Sequence, residues 1–151
     1  MTDSHIEITH HVGGTVAEVF AGFTRDLFEA LSPSFPPARL IRYDGNAVGD
    51  FVVIELGVPP LTQEWVSEIT AHEEGKDVCY FVDEGRALPW PLRRWRHVHW
   101  VKQAAPGRVA IVEDITYGTG GRVLDALLRP VLRAQFGARG KTYEEVFGEP
   151  S

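Results

Sequence analysis

Cysteine is nearly absent: Cys79 is the only one in 151 residues. No internal disulfide can form, which fits a reducing cytoplasm. Cys79 lies in an apolar strand segment and reads as a buried, inert thiol. No apolar run approaches the ~20 residues needed to span a bilayer. The N-terminal Met1-Thr2-Asp3-Ser4-His5 lacks the basic start and apolar stretch of a signal peptide. Positive charge is scarce: 15 Lys and Arg face 21 Asp and Glu, a net charge of −6. That balance argues against generic binding to nucleic acid or an anionic membrane. The chain also lacks a nucleophile–base motif, a P-loop, a Rossmann glycine pattern and a cysteine-based metal motif. No repeat, low-complexity tract or linker breaks it. The partner left by these exclusions is a small molecule, and the protein is expected as a cytoplasmic monomer or homodimer.

Hydrophobic residues make up 44% of the chain and aromatic residues 11%, which is a globular composition. The length fits one domain over residues 1–151, able to bury roughly two-thirds of its unfolded surface. Ile6–His11 reads as a first strand. Thr15-Val16-Ala17-Glu18 is a capping box that starts a short helix over Val16–Ala21. A second helix is expected over Arg25–Leu31, stopped by the proline-rich stretch from Pro33 to Pro37. Six strand-like segments follow: Arg39–Tyr43, Asp50–Leu56, Leu61–Ala71, Val78–Asp83, Arg94–Gln103 and Val109–Tyr117. They have turn signals and no helices between them, which predicts an antiparallel meander. Arg122–Phe147 has helical spacing, with a kink or restart expected at Pro130. Gly137 and Gly140 weaken this helix, serving either close packing or a flexible gate. The fold class is therefore α+β: a curved antiparallel sheet of about seven strands wrapped around a C-terminal helix. Such a wrap leaves a concave hollow of the kind ligand sites favour.

Chemistry concentrates in Trp95-Arg96-His97-Val98-His99-Trp100-Val101. Strand side chains alternate, so Trp95, His97, His99 and Val101 share one face. A hairpin turn centred on Ala105-Pro106 makes facing residue numbers sum to about 212. His99 then opposes Glu113, His97 opposes Ile115, and Tyr117 joins the same face. Buried Glu113 needs a donor, and His99 is its expected partner, with a raised histidine pKa and a lowered glutamate pKa. A histidine near neutrality exchanges protons at physiological pH, as a cyclisation or dehydration requires. His97, His99 and Glu113 also imitate a two-histidine-one-carboxylate metal set. His-x-His alone does not establish such a site, and neither metal nor cofactor is expected. Trp65 shares a face with Gln63 and Ser67 and reads as core or pocket wall. Trp90, in Leu88-Pro89-Trp90-Pro91, reads as a pocket cover or plain surface. Arg93, Arg94 and Arg96 form a solvated cluster or an anion-capturing fork, with Asp83 a partner for one of them. His10, His11 and His72 read as solvated strand ends.

The element order resembles the START/Bet v 1-like (SRPBCC, helix-grip) superfamily over almost the whole chain. Phe81-Val82-Asp83, Leu88-Pro89-Trp90-Pro91, Trp95-x-His97-x-His99 and Asp114-x-x-Tyr117 resemble a bacterial subgroup described as ligand-binding or polyketide cyclase/dehydrase-like. Leu88-Pro89 stands where that pattern has Gly-Pro, and Ile115 where it has Val. The resemblance implies the helix-grip fold and an internal cavity for a small hydrophobic or aromatic ligand. The superfamily's functions vary, so the fold does not set the function. The expected pocket residues are Gln63, Trp65, Phe81, Trp90, Trp95, His97, His99, Glu113, Tyr117, Leu128, Leu132 and Phe136. A cyclase or dehydratase would use His97 and His99 as acid and base beside Glu113. An interaction or stress-related module would have a collapsed cavity, with no volume above roughly 300 Å³.

Overall fold

A computed structural model of the protein describes residues 3–33 and 36–151. The elements run β1 (Ser4–Val12), α1 (Val16–Ala21), α2 (Arg25–Ala30), β2 (Ala38–Tyr43), β3 (Phe51–Val58), β4 (Leu61–Glu74), β5 (Val78–Ala87), β6 (Arg94–Ala105), β7 (Arg108–Gly118), α3 (Arg122–Gly137) and α4 (Arg139–Phe147). All strands join one antiparallel sheet in the order β1-β7-β6-β5-β4-β3-β2. The meander accounts for six of them, and β1 returns to close the far edge against β7. No helix among the described residues is long and apolar enough to cross a membrane.

Local chemistry sets the early helices. The Thr15 hydroxyl accepts from the Glu18 N–H at 3.2 Å and donates to the Glu18 carboxylate at 2.9 Å. Thr24 caps α2 in the same way, accepting from the Leu27 N–H. The C-terminal helix differs from its sequence expectation. Helix α3 continues through Pro130, and the break comes at Gly137–Ala138. His10, expected in solvent, explains part of this. It is buried, and its Nε2 donates to the Phe136 carbonyl at 3.1 Å, satisfying an acceptor at the end of α3. Gly140 brings the α4 backbone against the same ring: a Cβ there would lie 3.0 Å from His10 Nδ1. His11 and His72 are half-buried rather than solvated, and His72 Nδ1 donates to the Asn46 carbonyl at 2.7 Å.

The inward face of the sheet supports two apolar clusters. One holds Val16, Phe20, Phe23 and Leu27 from the early helices with Ile69, Cys79, Phe81, Val101 and Tyr143. The other holds Ile6, Trp95, Ile115 and Tyr117 with Leu132 and Phe136 from α3. Phe23 joins the helices to the sheet, its ring 5.7 Å from Phe81, 6.1 Å from Tyr143 and 6.3 Å from Phe147. Removing it opens a cavity that rigid neighbours cannot fill. Phe23→Ala is expected to cost about 3–5 kcal/mol, read from the shift of the urea unfolding midpoint.

Candidate functional site

Between the two apolar clusters runs a polar stripe across four neighbouring strands. Ser67 on β4, Asp83 on β5, His97 and His99 on β6, and Glu113 on β7 all point inward. The pairing is Asp83 opposite His97, and His99 opposite Glu113. The register sum of 212 holds from Trp95–Tyr117 to Gln103–Val109 and slips only at the bulge near Ala105. Being opposite does not decide bonding, however. Glu113 takes its hydrogen bond from His97 (Nε2···Oε1 3.2 Å), not from His99. Its other oxygen accepts from Arg139 Nη1 at 3.1 Å and the Tyr143 hydroxyl at 3.3 Å. His99 Nε2 bonds instead to Asp83 Oδ2 at 2.5 Å, and His97 Nδ1 lies 3.7 Å from that oxygen. Asp83 therefore serves the histidines and not an arginine, because it is inside β5 with its side chain toward the core. The two imidazoles stack with centroids 3.6 Å apart.

Burial governs the protonation states. Glu113 and His99 are 0% and 1% exposed. Burial opposes ionisation of Glu113, but Arg139 and then His97 hold it well below the carboxylate range. Burial likewise opposes a charged Asp83, yet the His99 hydrogen bond and both imidazoles bring it below its ordinary value. For His99, burial is the largest influence and repulsion from His97 adds to it. Together they outweigh Asp83 and lower the imidazole to about 4. The expectation of a raised His99 is thus reversed by desolvation. His99 Nδ1 is buried without a hydrogen-bond partner.

This stripe forms part of the wall of a cavity of about 170 Å³. Of the residues named from the sequence, Trp65, Phe81, Trp95, His97, His99, Leu132 and Phe136 line it. Asp83, Ser67, Phe28, Ile54, Gln135 and Arg139 line it too, and the sequence reading placed none of them there. Gln63, Trp90, Glu113, Tyr117 and Leu128 are outside the lining. Tyr117 is fully buried, its hydroxyl donating to the Asp125 carbonyl at 2.8 Å. Glu113 lies beneath the wall and acts through His97 and Arg139. Trp90 is 77% exposed, and its backbone N–H donates to the Gln63 side chain at 2.9 Å, so the loop is surface. Leu128 packs on the Trp95 cluster. Arg93, Arg94 and Arg96 are exposed, and Arg94 pairs with Asp3 at 2.6 Å. Trp65 donates its indole N–H to Ser67 at 3.1 Å and meets Trp95 edge-on, with centroids 4.7 Å apart.

No protein-family model and no curated protein matches the chain. Solved structures do match. The di-domain aromatase/cyclase StfQ from the steffimycin biosynthetic pathway aligns with a TM-score of 0.68 and 18% identity, over 97% of this chain and 51% of that one. This chain thus spans about half of the di-domain protein. The aromatase/cyclase ZhuI of a Streptomyces species aligns with a TM-score of 0.67 and 14% identity, over 93% and 91% of the two chains. Norcoclaurine synthase from Thalictrum flavum aligns with a TM-score of 0.64 and 11% identity, over 95% and 87%. At these identities the likeness carries the fold: the protein has the START/Bet v 1-like helix-grip architecture.

The protonation states give the site a pH signature. His99 has a folded pKa near 4 and an unfolded one near 6.5, so the unfolded chain binds its proton first. Its contribution to stability is complete above about pH 6.5 and is lost as pH falls toward 4. Glu113, depressed in the fold, adds a loss beginning below about pH 5. Urea midpoints are expected to fall continuously from pH 7 to 4, and His99→Gln to flatten the upper part of that curve.

Proposed function

We propose that the protein binds a small, one-ring apolar or aromatic molecule carrying one polar group in the cavity between sheet and α3. The observation that carries this reading is the composition of the wall. Apolar groups from Phe28, Ile54, Trp65, Trp95, Leu132 and Phe136 surround a polar patch of Asp83, His97 and His99. Apolar walls supply affinity and a few fixed polar groups supply orientation. The size bounds the ligand. About 170 Å³ is below the roughly 300 Å³ of drug-sized pockets, the bound given above for a module with a collapsed cavity, but the space that remains is lined by apolar groups around a polar patch and has room for one ring. It is close to an engineered apolar cavity of about 150 Å³ that takes benzene. The fold neighbours agree in kind: two are aromatase/cyclases, and the norcoclaurine synthase structure is a complex with dopamine and hydroxybenzaldehyde.

Acid–base catalysis by His99 gains less from the geometry. A base poised near 4 and hydrogen-bonded to a carboxylate is far from the neutral pKa that proton transfer favours. Binding is therefore the leading function of the site.

Tryptophan fluorescence reports this directly, because Trp65 and Trp95 line the cavity. Titration with one-ring phenols and aromatic aldehydes is expected to change the emission saturably, and two- and three-ring analogues to change it less. Leu132→Trp fills the space at a cost of about 1–3 kcal/mol. It is expected to abolish the response while thermal unfolding stays cooperative. A wild-type protein indifferent to every one-ring compound would remove this reading.

A further inference from the structure

We infer that Asp83, His97 and His99 form a binding site for one divalent first-row transition-metal ion, with its open coordination positions facing the cavity. One ligand atom from each residue lies within 4.8 Å of the other two, and all three side chains line the same cavity wall. The metal set imagined from sequence used Glu113; the fold puts Asp83 in that place and moves Glu113 one layer back. That displacement strengthens the site. A metal-ligating histidine usually gives its second ring nitrogen to a carboxylate, which fixes the ring and its tautomer. His97 does this: Nε2 is held by Glu113 at 3.2 Å, leaving Nδ1 toward Asp83 at 3.7 Å. Glu113 is itself fixed by Arg139 and Tyr143.

The donor set suits the ion. Two imidazoles and one carboxylate favour zinc, iron, nickel or copper over magnesium or calcium. Metal bonds of about 2.0–2.2 Å place ligand atoms roughly 3.0–3.5 Å apart. His97 Nδ1 must close slightly on Asp83, and His99 Nε2 must open from 2.5 Å. Both are small side-chain rotations on paired strands. The proton that neutral His99 now gives to Asp83 from Nε2 moves to Nδ1, which has no hydrogen-bond partner, so the ring stays neutral and the ion takes the proton's place on Nε2 and on Asp83 Oδ2. Arg139, the one Lys or Arg among the described residues of this wall, is already paired with Glu113 and repels the ion less for that reason. Three protein ligands on one side leave the cavity side for water or an oxygen donor on a small molecule. This inference does not depend on the organic ligand proposed above, since the ion is held by the chain alone.

The test uses the metal by itself. Wild-type protein, stripped with chelator and dialysed, is titrated with Co²⁺ while visible absorption is recorded, and Zn²⁺ is then added as competitor. The expected result is one Co²⁺ per chain with ligand-field bands that Zn²⁺ abolishes. Asp83→Asn should weaken Co²⁺ binding by about tenfold or more. His5→Ala should leave it unchanged, although His5, Glu7 and Asp114 make a second, exposed cluster. If Asp83→Asn fails to fold, wild-type NMR decides, because bound Co²⁺ must shift or broaden the His97 and His99 ring signals. Absence of bands at millimolar Co²⁺ would overturn the proposal. So would binding that survives Asp83→Asn and disappears with His5→Ala. Either failure leaves the fluorescence titration with phenols untouched.

Discussion

A carboxylate with no solvent exposure sits midway along β7, one strand in from the sheet edge, and much of the inner architecture follows from the need to partner it. Glu113 on β7 cannot be ionised without donors, and its neighbours on β1 supply none. The donors come from His97 on β6 and from Arg139 and Tyr143 on α4. Arg139 is the first residue of α4, just past the break in the C-terminal helix. Tyr143 follows one turn later. The buried charge thus fixes where the helix must turn, which face α4 presents, and which nitrogen of His97 remains for the cavity.

The stripe built around this charge has an energetic meaning. Ionic groups in a core add little stability compared with well-packed apolar residues of similar volume. A helix-grip fold closed only by its two apolar clusters would be at least as stable. Yet Ser67, Asp83, His97, His99 and Glu113 interrupt those clusters on four successive strands. All but Glu113 meet the cavity, where most of the remaining wall is aromatic and aliphatic, and Glu113 lies behind them. Such an arrangement costs stability and supplies preorganised polarity, which is what binding a small molecule or an ion requires.

Much of this was legible in the sequence because it is local or periodic. The Thr15 cap, the period-two face of Trp95, His97 and His99, and the hairpin register from one turn all depend on residues near one another in the chain. The order of the meander follows from short connections. What escaped was non-local. Asp83 reaches the histidines only through the β5–β6 register, and the β4–β5 pairing carries two irregularities, near Val66–Ser67 and Ile69–Ala71. Arg139 and His10 meet the sheet only after the helix breaks. Proline is the strongest local signal for a kink or restart and Gly137 only a weak point, yet the helix runs through Pro130 and breaks at Gly137–Ala138, where tertiary partners meet it. Opposition across a ladder also misled: His99 faces Glu113 in register, but side-chain direction delivers it to Asp83.

The most direct measurement is a double-mutant cycle on Glu113 and Arg139, using Glu113→Gln, Arg139→Met and the pair, with urea unfolding at neutral pH. If the buried carboxylate organises the helix junction, the double variant is less destabilised than the sum of the single ones, by more than about 1 kcal/mol. Costs that simply add, within about 0.5 kcal/mol, would contradict the account, because the two groups would then contribute independently.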